Sequence, residues 1–426
     1  MRLFSQTPPP GPFRREAWRS PLRGSWLTSV LGAALLVGIP VVFVTGLLSY
    51  VAYEPGLGRN NLIGDPGILD FYVFSWPTSP SWLYALTQGL HVTVGIALVP
   101  IVLVKLWSAM PKLFEWPPVR SPAHALERAS LALLVSSTLF QFATGIFNAQ
   151  LYYPWSFSFL SAHYYGGWVF IASFLLHAVL KVPTMRRSLR ERRLLDELRR
   201  GLDETVAETG DSELIAPAPS APTISRRGVL GLTGGASLGL LALTAGQSVG
   251  GPLREIALLA PHGRDLGDGP NDFQINKTAK SMGITPDQTG DSWLLRVAGG
   301  TRFVGLTRAQ LLALAQHTYE LPIACVEGWS TTQSWSGVRL RDLAALAGVE
   351  AFDELLVESL QEGGSFRRAT LSPGQCNDRR SLLALRVNGA DLSADHGFPA
   401  RIIVPALPGV HCTKWVTRLE FKGVRA

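Results

Sequence analysis

The chain has 426 residues, and its 39 lysines and arginines outnumber its 32 aspartates and glutamates, for a net charge of +7. Charged residues make up 17% of the chain, against roughly 25% in soluble domains, and there are three cysteines. A wholly soluble protein and a secreted scaffold built on disulfides are therefore excluded. At about 150 residues per domain, the length allows two or three domains.

The shortage of charge is concentrated in four stretches of the sequence. Uncharged runs of 30, 34, 52 and 26 residues follow Arg23, Asp70, Arg128 and Arg227. Because a bilayer span takes about 20 apolar residues, these runs predict one, one, two and one membrane helices. We place these helices near residues 26–51, 82–107, 128–149, 160–184 and 228–248.

The basic residues of the loops predict the orientation, because lysine and arginine accumulate on the cytoplasmic side of a membrane. The N-terminus, the loop at 112–128 and the segment after the fourth span are basic, whereas the 52–81 loop is mostly acidic. The pattern predicts a multi-pass protein of the bacterial cell membrane with residues after 250 outside the cytoplasm. Since the positive charge belongs to the cytoplasmic flanks, it does not indicate nucleic-acid binding.

A low-complexity segment separates the fourth and fifth spans. Residues 201–224 are acidic and then rich in Pro, Ala and Ser, a composition typical of an unfolded cytoplasmic linker. Ser225, Arg226 and Arg227 follow, ahead of a charge-free run rich in Gly and Ala. This pattern resembles a twin-arginine export signal placed inside the chain. The alternative is an ordinary positive flank on a fifth span.

After residue 255 the sequence alternates short β-type runs with Gly, Pro and Asp turns. Strands are predicted near residues 293–297, 355–358, 383–387 and 401–404, and short helices at 307–316 and 340–347. The expected fold is a helix bundle of four membrane spans plus a fifth, followed by an α+β domain. The expected divisions are a basic N-terminus (1–24), the four-span domain (25–185), a linker (186–224), the signal or fifth span (225–250) and the outer domain (251–426).

Three histidines lie within the predicted spans, where ionisable residues are costly and usually functional. His91 is in the second span; His163 and His177, 14 residues apart, share a face of the fourth span and are separated by about 21 Å. Histidine is a usual axial ligand of b-type haem. Depth in the membrane favours a haem between His91 and His163. A pairing of His91 with His177 and a haem-free bundle are the alternatives.

A four-span unit with such histidines resembles the cytochrome b561-like and formate-dehydrogenase cytochrome subunits of bacteria. The resemblance covers about residues 25–185 and implies a haem b that exchanges electrons with the quinone pool. The first span has no histidine, so a second haem would lack a fourth ligand.

Two blocks of the outer domain carry the most specific pattern in the sequence. Residues 321–340 read LPIACVEGWSTTQSWSGVRL, and residues 395–415 read DHGFPARIIVPALPGVHCTKW. They resemble the sulfite oxidase family of molybdopterin enzymes, which includes the periplasmic methionine sulfoxide reductase catalytic subunit. The resemblance covers about residues 265–424 and implies that Cys325 is the catalytic thiolate ligand of molybdenum. It also implies that the pterin cofactor contacts Asn276, Lys277, His396, Arg401, Cys412, Thr413 and Lys414.

The residue types agree with this chemistry. A soft thiolate suits molybdenum, and such a cysteine is expected to be accessible and ionised. Arginine and lysine suit the pterin phosphate, and His396 is expected to donate to the pterin or its phosphate. Cys376 and Cys412 either form a disulfide or are free, and Arg367 and Arg368 either meet an oxyanion substrate or are solvated.

The two resemblances together imply a membrane-anchored molybdenum oxidoreductase for a small extracytoplasmic substrate, similar to the catalytic and haem subunits of the methionine sulfoxide reductase system joined in one chain. The alternatives are an enzyme like sulfite dehydrogenase, which sends electrons inward, and a non-catalytic cofactor-binding membrane protein. The sequence ends at Ala426, directly after the second block. We therefore expect no immunoglobulin-like dimerisation domain and a monomer in contact with membrane lipid.

Overall fold

The computed structural model describes residues 7–208, 214–300 and 302–424. The first part of the chain is helical. Its helices are α1 (Ser25–Ala52), α2 (Leu83–Leu113), α3 (Pro122–Ala149), α4 (Phe159–Glu191), α5 (Leu194–Arg199) and α6 (Arg226–Val249).

Five of these helices, all except the short α5, are long and apolar enough to cross a membrane. Four of them contain a predicted span, and α2 covers all but the first residue of the span predicted at 82–107; most helix ends extend beyond the predicted spans by one to several residues. The five helices are compatible with a membrane protein. The helices coincide with the uncharged runs. A helix satisfies its backbone hydrogen bonds internally, so an apolar helix can lie in lipid without water as a hydrogen-bond partner.

The chain divides into two compact units. The first comprises residues 1–43, 93–148 and 152–241, and the second comprises residues 44–92, 149–151 and 242–426. Two clusters of buried side chains form the core of the first unit. One contains Leu22, Trp26, Leu27 and Leu31, and the other contains Ile39, Leu98, Phe170 and Ile171.

The predicted unfolded linker is partly wrong. Leu214, Ile215 and Ala216 are buried, and the backbone N–H of Ala216 donates to Trp18 O at 3.0 Å. Four residues further on, the N–H of Ser220 donates to Arg19 O at 2.9 Å. The described residues of this segment form no helix or strand. Backbone hydrogen bonds to the N-terminal residues and three buried apolar side chains pack the segment into the first unit.

The two arginines of the predicted export signal differ in their surroundings. Arg226 is 1% exposed, and its guanidinium donates to Val206 O at 2.7 Å and lies 3.4 Å from a carboxylate oxygen of Glu197. Arg227, by contrast, is exposed. Arg226 is therefore a structural cation of the folded first unit, whatever else the pair does before folding.

The second unit contains ten strands and four short helices among the described residues. In chain order they are α7 (Pro286–Thr289), β1 (Leu294–Gly299), β2 (Arg302–Thr307), α8 (Arg308–Ala313), β3 (His317–Ala324), β4 (Ser330–Arg339), α9 (Leu340–Leu346), β5 (Glu354–Ser359), β6 (Arg368–Leu371), α10 (Pro373–Asn377), β7 (Leu382–Val387), β8 (Ala390–Asp391), β9 (Arg401–Ile403) and β10 (Val416–Lys422). The four predicted strands are confirmed as β1, β5, β7 and β9, and the two predicted helices as α8 and α9.

The strands form two five-stranded sheets. The first has the order β2-β1-β10-β5-β6, in which β1 and β10 are parallel and the other pairs antiparallel. The second has the order β3-β4-β7-β8, with β9 also paired to β7. The end of β3 belongs to the first sequence block, and the start of β9 and the segment before β10 belong to the second. The strand pairing brings these parts of the two blocks together.

The segment between α1 and α2 is part of the second unit rather than a loose outer loop. Asn60, which is 2% exposed, exchanges two hydrogen bonds with the backbone of Thr370 in β6, at 2.8 and 2.9 Å. The indole N–H of Trp76 donates to Ala406 O at 2.8 Å. Glu54 is 1% exposed and accepts from Trp76 N at 2.6 Å and from Gln375 at 3.3 Å. These buried polar contacts tie the segment to the β-rich domain.

Candidate functional site

Cys325 lies in the tight turn that joins β3 to β4. Its backbone N–H donates to Trp329 O at 3.0 Å, and the N–H of Gly328 donates to Cys325 O at the same distance. Gly328 has a φ of +90°, which favours glycine. We call residues 325–329 the thiol loop.

The second sequence block runs beside the thiol loop. The N–H of Gly409 donates to Ala324 O at 2.7 Å, and a Cβ on Gly409 would come within 2.9 Å of that oxygen. Only glycine allows the two backbones to approach this closely. The blocks, which are about 70 residues apart in sequence, therefore meet directly at the residue before Cys325.

The two blocks and residues 273–276 line a small cleft. Cys325 lines it, together with four of the residues predicted to bind the pterin: Asn276, His396, Arg401 and Lys414. The other three predicted contacts, Lys277, Cys412 and Thr413, are not in its lining but are adjacent in sequence to residues that are, or one residue removed from them.

Two buried cations face this cleft. Arg401 is 3% exposed; it donates to His396 O at 3.1 Å and to Cys412 O at 3.3 Å, and its Nε has no partner. Lys414 is 9% exposed and donates to Lys277 O at 2.5 Å and to Asp395 O at 3.0 Å. Within the described part of the chain, neither forms an ion pair with a carboxylate.

Burial disfavours the charged form of both side chains. Burial lowers the pKa of Arg401 to about 10. Burial and, secondarily, the charge of Arg401 lower the pKa of Lys414 to about 7. A buried charge is normally paired, because desolvating it without a partner costs several kcal/mol. The cleft is therefore suited to an anion that accepts from both groups, such as the phosphate of a pterin cofactor.

The expectation that Cys325 is accessible and ionised is wrong for the protein without cofactor. Its side chain is 2% exposed, and burial, followed by the nearby charge of Glu327, raises its pKa well above the usual range. The thiol is therefore protonated until a metal replaces the proton, which is the usual coupling of thiolate formation to metal binding.

The ring of His396 makes two close contacts within the protein. Its ring stacks on Phe273 with centroids 3.6 Å apart, and Nε2 lies 2.8 Å from Asn271 O. Burial and the charge of Arg401 lower its pKa to about 3, so the ring is neutral and its single N–H donates to that carbonyl. This ring N–H is therefore engaged with Asn271, while the ring lines the cleft, and donation from His396 to the pterin or its phosphate stays a prediction.

The cysteines are free thiols, so the disulfide alternative is wrong. Cys376 is fully buried in α10, and burial raises its pKa to about 12. Cys412 is 3% exposed, and its carbonyl oxygen accepts from Arg401. Next to it, Thr413 has a buried hydroxyl without a partner, and its backbone oxygen accepts from Ile402 at 2.9 Å.

The residue-by-residue prediction missed Glu327 and His262. Glu327 is 4% exposed, accepts from the indole N–H of Trp329 and lies 2.9 Å from Nε2 of His262. The ring of His262 packs edge-on against Trp329. Glu327 stands in the Cys-Val-Glu-Gly-Trp-Ser stretch and could have been found there. His262 lies far from both blocks, and no local signal marks it.

Two of the three helix histidines have similar surroundings, each inside its own unit. In the second unit, Nδ1 of His91 lies 3.5 Å from Thr45 Oγ1, and the ring packs on Gly46. In the first unit, Nδ1 of His163 lies 2.9 Å from Thr144 Oγ1, and the ring packs on the adjacent glycine, residue 145.

His177, in the first unit, lies instead within range of the charges of Lys105 and Lys181. No group of three or more His, Cys, Asp or Glu side chains that could hold a metal ion occurs among the described residues. A six-coordinate haem needs only two such ligands, so the three histidines remain predicted ligands.

Residues 282–425 match the family model of the oxidoreductase molybdopterin binding domain. The C-terminal part of the chain is therefore similar to oxidoreductase molybdopterin-binding domains, and the curated proteins that it resembles include sulfite oxidases. The family model covers the thiol loop, both buried cations and all ten strands.

Individual relatives match over shorter lengths. The chain is 35% identical over 100 residues to the uncharacterized oxidoreductase YuiH of Bacillus subtilis, a match covering 23% of this chain and 49% of that protein. It is 29% identical over 163 residues to the mitochondrial sulfite oxidase of Rattus norvegicus, covering 32% and 30% of the two chains. A nitrate reductase [NAD(P)H] of Hordeum vulgare is 35% identical over 105 residues, covering 22% and 11%.

A solved structure, the sulfane dehydrogenase SoxCD from Paracoccus pantotrophus, aligns with 31% of this chain and 39% of its own at 24% identity. The TM-score of this alignment is 0.29. The chain spans half or less of the length of the three curated relatives described above.

Replacing Arg401 with methionine tests the role of the buried cations. The Arg401→Met variant removes a charged donor, so we expect the affinity for molybdopterin to fall roughly 10- to 150-fold, the equivalent of about 1.5–3 kcal/mol. Cofactor content per chain, measured after purification and after reloading, is the readout. Because burying the charge is itself costly, the cofactor-free variant should unfold at no lower temperature than the parent.

The matched control is Arg418→Met, which removes a half-exposed guanidinium paired with Glu358 and Glu420. This variant should keep its cofactor. Normal cofactor content in Arg401→Met would show that the cleft does not hold the phosphate there.

Proposed function

We propose that this chain is a membrane-anchored molybdenum oxidoreductase that acts on a small extracytoplasmic substrate. The observation that carries the proposal is the cleft in which the Cys325 thiol lies together with Arg401 and Lys414, two buried cations without a carboxylate partner. A soft sulfur ligand and a site for a buried anion are the two things that a molybdenum–pterin cofactor requires of its protein.

Each side chain has a defined task in this proposal. Cys325 would hold molybdenum through its thiolate, and Arg401 and Lys414 would bind the pterin phosphate. The bound cofactor supplies two-electron oxygen-atom transfer. Reduction of a sulfoxide takes two electrons and two protons, breaks the S=O bond and yields a thioether and water. The thiol loop keeps the ligand in place, and Trp329 limits access of water from its side.

The charges around the thiol support a neutral substrate. Glu327 brings a carboxylate close to Cys325, which disfavours an anion such as sulfite. The arginines expected to meet an oxyanion have other partners: Arg368 pairs with Glu358 at 2.5 Å, and Arg367 donates to Glu362 O at 2.7 Å. A sulfoxide, as in methionine sulfoxide reduction, is therefore our first candidate. A sulfite dehydrogenase activity is the second, suggested by the sulfite oxidase homologues.

A haem b in the helical part is the proposed electron partner. The hydroxyl of Thr144 has a single proton, which it donates to Phe140 O at 2.8 Å. In the proposed site the Thr144 oxygen accepts from Nδ1–H of His163, 2.9 Å away, and Nε2 of the ring would bind the haem iron. This is the tautomer of a metal-ligating histidine whose other nitrogen is held by a hydrogen bond. The similar surroundings of His91 support it as the second ligand.

The proposed partners follow from the helices. Five apolar helices would place the haem ligands in membrane lipid of a bacterial cell membrane, within reach of the quinone pool, and the outer domain on the extracytoplasmic side. Carrying both redox domains on one chain keeps the electron partner at a high effective concentration. We propose that the two arginines at residues 226–227 form a twin-arginine signal that directs export of the cofactor-loaded domain.

The Cys325→Ser variant tests the catalytic ligand. A hydroxyl is harder and ionises less readily than a thiol, so we expect loss of sulfoxide reduction with an artificial reductant such as a reduced viologen. Metal and pterin analysis and the Mo(V) resonance provide readouts besides activity. Cys376→Ser is the matched control and should behave like the parent. Parent protein that binds cofactor but turns over neither sulfoxide nor sulfite would favour the non-catalytic alternative.

The His91→Ala variant tests the haem. We expect it to lack b-type absorbance, because every pairing considered uses this histidine. Loss in His163→Ala with a normal spectrum in His177→Ala selects the first pairing, and the reverse selects the second. His124→Ala, outside the apolar part of its helix, is the control. A full six-coordinate spectrum in His91→Ala contradicts the haem proposal as stated.

Export is tested best at Arg227, because Arg226 also stabilises the fold through Glu197. The Arg227→Lys variant keeps the charge and removes one guanidinium of the pair. We expect less of a reporter fused after Ala426 to reach the outside, measured as the fraction accessible to added protease. Arg199→Lys is the control. Normal export in Arg227→Lys identifies the sequence as an ordinary flank of α6.

A further inference from the structure

The thiol loop is held by the ends of two long helices, and these ends belong to the same compact unit as the loop. Three consecutive carbonyl oxygens of the loop each accept a side-chain hydrogen bond. Gln88 of α2 donates to Val326 O at 2.6 Å, Gln247 of α6 donates to Glu327 O at 3.2 Å, and Ser248 of α6 donates to the oxygen of residue 328. The backbone on one side of the proposed molybdenum ligand is thus fixed by helices rather than by the β-rich domain.

Both polar ends of the Gln88 side-chain amide form hydrogen bonds. It is 3% exposed, and while its amide nitrogen donates to Val326, its amide oxygen accepts from Ser49 Oγ at 2.5 Å. Because the Val326 oxygen can only accept, the orientation of the amide follows from its partners. A buried glutamine in an apolar helix is costly unless both ends are bonded, and here both are.

Gln88 also lies one helical turn from His91. Residues three apart are neighbours on a helix surface and are separated by about 4.5 Å along the axis. The two residues meet α1 in the same way: His91 packs on Thr45 and Gly46, and Gln88 bonds to Ser49, one turn further along α1. The contact between α1 and α2 therefore has two successive layers. His91 lies in the first layer, and Gln88, which bonds to the thiol loop, lies in the second.

We propose that Gln88 is the link through which electrons pass between molybdenum at Cys325 and haem at His91. The inference rests on the proposed function. Electron tunnelling falls steeply with each through-space gap, and the 2.6 Å hydrogen bond to Val326 closes the gap between α2 and the residue next to Cys325. Each turnover moves two electrons singly from a hydroquinone to the sulfoxide. The amide itself forms and breaks no bond, and it is neither oxidised nor reduced.

Gln247 makes a matched comparison possible. It donates to the neighbouring carbonyl of the same loop and is equally buried, at 2% exposure, but α6 carries no histidine. Methionine has nearly the length of glutamine and cannot donate. Gln88→Met and Gln247→Met therefore each remove one bond from the loop, and only the first removes a hydrogen bond donated by the helix that carries His91. Val92, next to His91, still packs against residue 328 in both variants.

The test uses the purified full-length chain, with molybdenum, pterin and haem measured first in each variant. The haem is reduced chemically, excess reductant is removed, and its reoxidation by methionine sulfoxide is followed by absorbance in a stopped-flow instrument. With the bond replaced by a van der Waals contact of about 3.5–4.0 Å, we expect reoxidation roughly fivefold or more slower in Gln88→Met and within about twofold of the parent in Gln247→Met. Amide exchange of residues 326–328 should rise in both variants.

Several outcomes overturn the inference. An unchanged reoxidation rate in Gln88→Met shows that electrons take another route. Equal slowing in both variants shows that Gln88 only holds the loop. If Gln88→Met loses a cofactor, Gln88→Asn, which shortens the reach of the amide, replaces it and must show the same slowing. Parent protein without haem, without molybdenum, or with haem that sulfoxide does not reoxidise would instead refute the proposed function.

Discussion

Burial of the Arg401 guanidinium costs free energy that no carboxylate in the described protein offsets. Two backbone oxygens accept from it and its Nε is unpartnered, while Lys414 adds a second buried cation. A Cβ on Gly397 would come 3.0 Å from that of Lys414 and 3.2 Å from that of Arg401, so the chain packs closely around both. An arrangement of this kind is stabilised by a bound anion, such as the phosphate of the proposed pterin cofactor.

The thiol loop depends on a second constraint, because it is held from two directions. On one side the backbone of Gly409 bonds to Ala324, and on the other the ends of α2 and α6 donate to three loop carbonyls. The segment between α1 and α2 adds Asn60 and Trp76 as further buried contacts. The domain that matches the molybdopterin family is thus folded together with the helix ends of its own unit, and separating the two would expose paired polar groups.

The parts of this structure that sequence could predict are those with a local cause. Uncharged runs predict helices, and the spacing around Cys325 and Arg401 resembles a known family, so the helices, four strands and the two halves of the cleft were expected. Burial and hydrogen-bond partners could not be predicted, because they depend on contacts between distant residues. The bond from Gln88 to Val326 joins residues 238 positions apart, and Arg226 bonds to residue 21 across 205 positions. The hydrogen bond between the His396 ring and Asn271 O likewise joins distant residues.

The central claim is that one chain carries electrons between a haem and the molybdenum site that Cys325 completes. An anaerobic titration of the fully reduced protein with methionine sulfoxide, with haem absorbance and thioether product measured together, tests it most directly. The account predicts that the haem is reoxidised as thioether forms, with two electrons leaving the protein for each molecule of product. Thioether formation while the haem stays reduced, or haem reoxidation without thioether, would contradict it.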